Sequence, residues 1–256
     1  MSHPPARAII LAAGRGSRLR PLTDTVPKPL VPAGGKPLIE HGLALLKAHG
    51  ITDVVINVHH LREKIIAELG DGARLGMHLQ YSVEEKLLDS GGGIRQAAQF
   101  MDRNQTEADK DTPLLVLNAD VVTDVSLTRL LAEHHRSEAS ISLVLRNDPK
   151  AEAYGLFGTD KEGRIRRFLG KGAPAAGLDE YMFASVQVLK PAILREMPPE
   201  GAFSTMRGLY PQLFAAGVPF QGFIHHGRWY TSDTAEDLRA LEEGLGREGP
   251  MIFDPT

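Results

Sequence analysis

The sequence contains no cysteine, which excludes disulfide bonds, thiolate catalysis and zinc sites with thiolate ligands. It has no apolar run near the ~20 residues of a membrane span, and none resembling a secretion signal before the first predicted strand. A basic excess is also absent, since 29 Lys and Arg face 32 Asp and Glu for a formal net charge of −3. That balance disfavours a protein held on nucleic acid by many phosphate contacts. We therefore expect a cytoplasmic protein that binds neither nucleic acid nor membrane.

Short apolar runs alternate with longer helical stretches over the 256 residues, a pattern typical of a doubly wound α/β fold with a mainly parallel sheet. We predict one domain over residues 1–256: a nucleotide-binding part to about 145, a second part over about 146–226, and a closing loop and helix over 227–256. Strands are predicted at 8–13, 53–58, 79–82, 114–118, 139–145, 183–189 and 220–226, with an antiparallel pair at 154–157 and 164–168. Helices are predicted at 39–49, 63–69, 94–101, 125–137, 191–196, 205–216 and 235–245.

A glycine-rich, basic segment follows the first predicted strand. Glycines let the backbone approach a ligand closely, and consecutive amides in such a turn point toward an anion. Arg15, Arg18 and Arg20 add permanent positive charge and forked donors. A plain strand–helix turn would explain the glycines but neither the arginines nor Ser17. Because Leu19 stands where a dinucleotide-binding fingerprint needs glycine, and no G-K-[ST] follows, the segment predicts a phosphate cradle of another kind.

Lys28 lies between two prolines, Pro27 and Pro29, which fix the backbone on each side of it. A lysine presented from a stiff segment near a phosphate loop can neutralise charge that develops in phosphoryl transfer. A solvated lysine in a proline-rich surface loop is the alternative.

The segments L-A-A-G-x-G-[ST]-R-L-x-P-L-T, P-K-P-L and K-P-L-I over residues 11–39 together resemble the sugar-1-phosphate nucleotidylyltransferases, or nucleoside-diphosphate-sugar pyrophosphorylases. Ser17 stands where threonine is usual. The L-D-S-G-G-G-I form at 88–94 looks most like the short single-domain members, such as muramate-1-phosphate uridylyltransferases and mannose-1-phosphate guanylyltransferase-like proteins. The resemblance implies a Rossmann-like nucleotide-diphospho-sugar transferase fold with a sugar-binding elaboration in its second half. It also implies Mg²⁺-dependent, in-line attack of a sugar 1-phosphate on the α-phosphate of an NTP, which releases pyrophosphate.

The resemblance assigns catalytic roles to Arg18, Lys28 and Asp120. A run of three glycines at 91–93 matches the family's base-binding stretch, although such a run also suits close packing of a helix on a sheet. The expected nucleotide ligands are Leu11, Ala12, Ala13, Gly14, Arg15, Gly16, Ser17, Glu84, Gly91, Gly92 and Asn118.

The metal ligands are expected at two places. Asp120 follows a buried strand in an N-[GA]-D motif, and its carboxylate suits Mg²⁺. Relatives carry W-x-D-x-G-T near the end, whereas this chain has Thr231 at the aspartate position and Asp233 at the glycine position. Three interpretations stay open: Asp233 reaches the ion, the ion relies on Asp120 with phosphates and water, or the enzyme is impaired.

The sugar side departs further from the family. Lys171 matches the lysine of F-x-E-K-P and is expected to bind the sugar phosphate, but Gly170 replaces the glutamate. Phe183 replaces the asparagine of N-A-G-I-Y, and Ser185 is expected to contribute to the same pocket. The histidine pairs at 59–60, 134–135 and 225–226 diverge on a strand or helix, so we do not expect them to bind metal.

The expected substrates are UTP or GTP and a sugar 1-phosphate, bound by a monomer or homodimer. Two other functions fit the early motifs: a nucleotide-sugar-binding regulatory protein without turnover, and a cytidylyltransferase for a non-sugar phosphate such as phosphocholine.

Overall fold

The computed structural model describes residues 6–102, 111–149 and 151–254. Its strands are β1 Arg7–Leu11, β2 Pro32–Ala33, β3 Lys36–Pro37, β4 Asp53–Val58, β5 His78–Val83, β6 Leu114–Asn118, β7 Val121–Thr123, β8 Ile141–Arg146, β9 Phe157–Thr159, β10 Ile165–Phe168, β11 Lys171–Gly172, β12 Asp179–Leu189, β13 Phe220–Ile224 and β14 Trp229–Thr231. Its α-helices are α1 Leu38–Ala48, α2 Arg62–Leu69, α3 Asp89–Asp102, α4 Leu127–Ser137, α5 Ala151–Tyr154, α6 Tyr210–Ala215 and α7 Ala235–Glu248. Short 3₁₀ turns include Ser17–Leu19 and Lys28–Leu30.

The central sheet has the strand order β5-β4-β1-β6-β12-β8-β13. The pairs β1–β4, β1–β6, β4–β5 and β8–β13 are parallel, whereas β12 runs antiparallel to both of its neighbours, β6 and β8. The first part of β12 also pairs with β9, and β10 and β11 continue that antiparallel extension. The predicted mainly parallel α/β sheet is therefore confirmed, with an antiparallel extension built from the second half of the chain.

Helices cover both faces of this sheet because its strands are apolar on both sides. In β1, Ala8 and Ile10 belong to the core cluster that also contains residues of α1, α2 and α4. Ile9 belongs to a second cluster with residues of α3 and α6. Alternate residues of one strand thus pack against opposite helical layers, which is the doubly wound arrangement that the continuous apolar run predicts.

A third core cluster brings together three segments that are far apart in the sequence. Val31 and Ala33, close after Lys28, pack against Val122 of β7 and against Leu241 and Leu245 of α7. The cluster holds the proline-rich segment, the strand after Asp120 and the helix after Asp233 against one another. Among the described helices, none is both long and apolar enough to cross a membrane.

Most predicted elements are present with shifted ends, and β4 and β6 match their predicted bounds. The first strand ends at Leu11 rather than at residue 13. The predicted helix at 205–216 begins as a π-helical turn, Thr205–Leu209, before α6. The predicted antiparallel pair is present as β9 and β10, but its first strand is shifted: residues 154–156 are not a strand, because Tyr154 closes α5, and β9 begins at Phe157.

Candidate active site

The glycine-rich loop leaves the carboxyl end of β1, the edge at which ligands bind in open α/β sheets. Gly14 and Arg15 are exposed there, and a Cβ at Gly14 would have open space around it. Gly16 has a φ of 62°, and a Cβ on it would lie 2.9 Å from Thr23 Cγ2 and 3.0 Å from Lys28 Cβ. Glycine at 16 therefore lets the loop fold down onto the Lys28 segment.

A chain of buried hydrogen bonds fixes the start of this loop. The Ala12 amide donates to Asn57 Oδ1 over 2.6 Å, and Asn57 Nδ2 donates to Glu84 Oε1 over 2.7 Å. The Leu88 amide donates to the other Glu84 oxygen over 2.8 Å. Glu84 is fully buried, and its carboxylate holds the loop and the segment before α3 through these two hydrogen bonds. The nucleotide contact predicted for it stays a prediction.

The glycine run lies inside α3 rather than before it, since that helix begins at Asp89. The amides of Gly91 and Gly92 both donate to the Phe203 carbonyl, over 2.8 and 3.4 Å. A Cβ on Gly91 would overlap the Phe203 ring. The two amides are therefore engaged within the fold, and the close packing that a glycine run allows is present here. The base-binding role predicted for Gly91 and Gly92 stays a prediction.

Lys28 lies in a 3₁₀ turn and its side chain is only 11% exposed. Its ammonium donates to Asp120 Oδ2 and, over 2.8 Å, to Asp233 Oδ1. Burial alone would lower the pKa of Lys28, but the two carboxylates outweigh burial and raise this pKa above its ordinary value. Lys28 therefore stays charged wherever the protein is folded at moderate pH.

Asp233 also forms an ion pair with Arg18, whose Nη2 lies 2.8 Å from Asp233 Oδ1. Arg18 is 62% exposed, so it can move from this partner to a bound anion. Asp120, Asp233, Lys28 and Arg18 thus form one cluster with two carboxylates and two cations. The structure brings together three residues that we predicted as catalytic and the second predicted metal ligand, Asp233.

A two-stranded ribbon positions the two carboxylates. β7 and β14 are antiparallel, with Thr231 opposite Val121, so Asp120 precedes one strand where Asp233 follows the other. The buried Ser232 hydroxyl donates to the Asp120 carbonyl over 3.2 Å and closes this end of the ribbon. Thr231 is held in the ribbon, and the next turn carries Asp233 to the position beside Lys28.

The far end of the ribbon is closed by a second polar cluster. His225 Nε2 lies 3.2 Å from Asp124 Oδ1 and 3.2 Å from the Thr123 hydroxyl. The Asp124 amide donates to the Arg228 carbonyl over 3.2 Å. A Cβ on Gly227 would overlap the Asp124 carboxylate, so glycine is required there. Burial alone would raise the pKa of Asp124, but hydrogen bonds from His225 and the backbone outweigh it and lower this pKa.

The predicted sugar-side residues lie on the antiparallel half of the sheet. Lys171 is exposed in β11, paired with Phe168, and forms no ion pair with any residue that the structure describes. Ser185 lies in β12, close to the carboxyl end of β6 where Asn118 stands. The structure does not bring Lys171 into contact with the carboxylate cluster.

The chemistry of this arrangement is that of a polyanion site. The loop with the exposed Arg15 leaves one sheet edge, and the Arg18 guanidinium and the Lys28 ammonium contact two carboxylates there. Among the described residues no group of three His, Asp or Glu side chains could hold a metal ion. Any ion here would therefore take further ligands from a substrate or from water.

Comparison with known proteins identifies the family of this chain. A family model described as nucleotidyl transferase matches residues 7–238. The chain belongs to the nucleotidyl transferase family. The family predicted from the loop and proline motifs is thereby confirmed.

This nucleotidyl transferase is similar to two curated relatives and to one solved structure. The UTP–glucose-1-phosphate uridylyltransferase of Synechocystis sp. is 30% identical over 254 residues, which cover 94% of this chain and 64% of that protein. This chain therefore spans just under two thirds of that relative's length. The N-acetylmuramate alpha-1-phosphate uridylyltransferase of Neisseria meningitidis serogroup B is 38% identical over 204 residues, 75% of this chain and 85% of that protein. The crystal structure of HddC from Yersinia pseudotuberculosis has the same fold, with a TM-score of 0.76, 19% identity and coverage of 94% and 99% of the two chains.

Sequence reasoning missed several residues of this site in the nucleotidyl transferase. Asn57 and Ser232 carry hydrogen bonds that hold Ala12 and Asp120 in place. Asn57 is the last residue but one of the strand predicted at 53–58, and Glu84 follows the next predicted strand, at 79–82, which was a usable signal for a polar contact at that sheet edge. Ser232 offered none, because its partner is a main-chain carbonyl 112 residues away in sequence.

Proposed function

We propose that this protein joins an NTP and a sugar 1-phosphate to give an NDP-sugar and pyrophosphate. The observation that carries the proposal is the cluster of Lys28, Arg18, Asp120 and Asp233 beside the glycine-rich loop. A triphosphate needs several fixed cations and amides, and this sheet edge supplies them. Family membership and the sugar-1-phosphate transferase names of the relatives support the same reaction.

The chain's own residues act by positioning and by charge neutralisation, without a protein nucleophile. A phosphate oxygen of the sugar 1-phosphate bonds to the α-phosphorus, and the bond from that phosphorus to the pyrophosphate oxygen breaks. Loop residues 11–17 hold the triphosphate, with Asn118 beside them. Lys28 and Arg18 neutralise the negative charge that grows on the leaving pyrophosphate.

The carboxylates of Asp120 and Asp233 fit a Mg²⁺ ion. The two carboxylates share one cation, the Lys28 ammonium, and so lie close enough to share a metal ion. Carboxylate oxygens are ligands that Mg²⁺ prefers, and a protein often supplies only one or two carboxylates to it. When bound there, the ion would screen the phosphate charges of the nucleotide. We therefore infer that Asp233 takes the role of the aspartate that relatives carry at the position of Thr231.

The sugar 1-phosphate is proposed to bind on the β11 and β12 side, through Lys171 and Ser185. UTP and GTP are the proposed nucleotides, with UTP first because the relative at 38% identity is named as a uridylyltransferase. The protein is proposed to act in the cytoplasm as a monomer or homodimer.

Pyrophosphate release tests this function directly. The protein is incubated with Mg²⁺, each common NTP and the 1-phosphates of glucose, mannose and N-acetylmuramate, with CTP plus phosphocholine as a separate arm. We expect release only when an NTP and a sugar 1-phosphate are both present. Binding by thermal shift without release across this panel would favour the regulatory alternative, and release in the phosphocholine arm alone would favour the cytidylyltransferase.

A lysine pair provides the matched control for this assay. Lys28→Met removes the buried ammonium and is expected to lower kcat by about 100-fold or more. Lys161→Met makes the same change at an exposed lysine in the turn between β9 and β10 and is expected to leave kcat unchanged. Equal activity of the two variants would contradict the proposed role of Lys28.

A further inference from the structure

Ser185 has a backbone conformation that the strand around it does not require. It lies inside the eleven-residue strand β12 with a φ of 62°, in the left-handed region that L-residues rarely adopt. The register of β12 against β8 shifts between Phe183 and Gln187, so Ser185 is at the centre of a bulge. The other described non-glycine residues with positive φ lie at helix ends or in a turn: Leu61, Asp89, Glu138 and Leu169.

The sheet register places this bulge at the candidate active site. In the antiparallel pairing of β12 with β6, Val186 is opposite Leu117. This is the last pair of the register: Ser185 is the first residue of β12 beyond it, and Asn118 ends β6 on the other strand, two residues before Asp120. The bulge therefore borders the edge at which the carboxylate cluster lies.

A hydrogen bond from the β7–β14 ribbon holds the bulge in place. The Trp229 indole donates to the Ala184 carbonyl over 3.0 Å. Trp229 begins β14, the strand that leads to Asp233. The backbone at Ser185 is thus tied to the same ribbon that positions the second carboxylate, which over-determines its conformation.

Glycine would adopt this φ without strain, yet the chain carries serine. The Ser185 side chain is half-buried, and its hydroxyl forms no hydrogen bond with any residue that the structure describes. The Cβ of Ser185 therefore carries the backbone strain, and its hydroxyl contributes no contact within the described fold. Residues held in strained backbone conformations cluster at active and ligand sites.

We propose that Ser185 is a specificity residue whose hydroxyl binds a polar substituent of the sugar ring in the sugar 1-phosphate. The inference rests on the proposed function and narrows it to one contact. Serine provides a hydroxyl that glycine would lack, and the bulge of β12 lies next to the carboxyl end of β6, where the acceptor substrate is proposed to meet the nucleotide.

Two substitutions separate the hydroxyl from the strain. Ser185→Gly removes both, so we expect Tm to rise by about 2 °C or more while KM for the sugar 1-phosphate rises about fivefold or more. Ser185→Ala removes only the hydroxyl, so the same rise in KM is expected without a rise in Tm. In both variants KM for the NTP is expected to stay within twofold.

Glu138→Gly is the matched control, because Glu138 has a φ of 56° at the exposed carboxyl end of α4. It is expected to raise Tm like Ser185→Gly and to leave both KM values unchanged. Unchanged KM for the sugar 1-phosphate in both Ser185 variants would overturn the specificity role alone. No pyrophosphate release from the unmodified protein would overturn the proposed function and this role together.

Discussion

The Asp233→Asn substitution removes one of the two carboxylates that contact the Lys28 ammonium while it keeps the shape of the side chain. Asp233 is 14% exposed and Lys28 is 11% exposed, so their hydrogen bond lies in a poorly solvated place. The pair of Asp233 with Arg18 is weaker by comparison, because the arginine is 62% exposed and water screens it. The loss of stability therefore comes mainly from the Lys28 contact.

Hydrogen bonds to charged groups contribute about 1.5–3 kcal/mol each. Lys28 keeps Asp120 as a partner in the variant, so we place the loss in the lower part of that range, at about 2 kcal/mol. For a chain of this length that corresponds to a fall in Tm of about 4–8 °C. Because Asp233 is also a proposed metal ligand, kcat is expected to fall by about 100-fold or more.

Thermal unfolding and pyrophosphate release, each with and without Mg²⁺, measure the two effects. Asp53→Asn is the control, since it makes the same change at an exposed carboxylate that begins β4, and it should alter neither Tm nor kcat. Thr231→Asp should not restore activity to Asp233→Asn, because Thr231 is held opposite Val121 in the ribbon. Full activity of Asp233→Asn, or a gain of activity from Thr231→Asp alone, would refute this reasoning.

Three further predictions concern packing, pH and the ribbon. Gly91→Ala places a Cβ in the Phe203 ring and should destabilise the fold by about 1–3 kcal/mol in urea unfolding. Burial lowers the pKa of His134 to about 4, below its ordinary 6.5, so protonation favours the unfolded chain. The free energy of unfolding should therefore fall by about 3 kcal/mol between pH 7 and pH 4. His134→Gln should remove most of this fall when urea unfolding is measured across that range. Gly227→Ala forces the Asp124 carboxylate away from His225 and should lower kcat about tenfold without changing KM for the NTP in the pyrophosphate assay.

Each of these has an outcome that contradicts it. Gly246→Ala, in α7 with open space at its Cβ, should stabilise by up to about 1 kcal/mol, so equal effects at Gly91 and Gly246 would rule out the clash. An unchanged pH slope in His134→Gln would assign the acid sensitivity elsewhere, with the buried His41, whose pKa is also lowered by burial, as the next residue to change. Normal kcat in Gly227→Ala would show that the far end of the ribbon does not position the carboxylates.

The sequence predicted the sheet well because its strands are continuous apolar runs bounded by polar residues. β4 and β6 have the predicted bounds. The end of β1 was wrong by two residues because the Ala12 amide donates to the Asn57 side chain, a contact between residues 45 apart in sequence. A local sequence pattern can predict the strand, but it cannot predict a hydrogen-bond partner so far away in the sequence.

The glycine run was misplaced for a similar reason. Glycine is a poor helix former, which favours a helix that begins after residue 93. The structure includes all three glycines in α3 because Phe203 packs where any side chain at 91 would stand. Tertiary packing here outweighs the local preference, and the partner lies about a hundred residues away.

Of the candidate site, the motifs placed Lys28 and Asp120 at one sheet edge, and the structure brings them into contact. The reach of Asp233 could not be decided from the sequence, since three interpretations of Thr231 were open. Asp233 lies beside Lys28 because of the β7–β14 register and the Ser232 hydrogen bond, which depend on how two segments about a hundred residues apart meet.

The cluster formed by Val31, Ala33, Val122, Leu241 and Leu245 has a consequence for synthesis of the chain on the ribosome. The phosphate loop and Asp120 emerge early, and the sheet around β1, β4 and β6 can begin to fold before the last segment is made. Because Asp233 lies just before α7 in the chain, we expect it to reach its place only after α7 has emerged and packed against Val31. We therefore expect a nascent chain to acquire most of its fold while the charged cluster is still incomplete, and to complete the cluster once α7 has been synthesised.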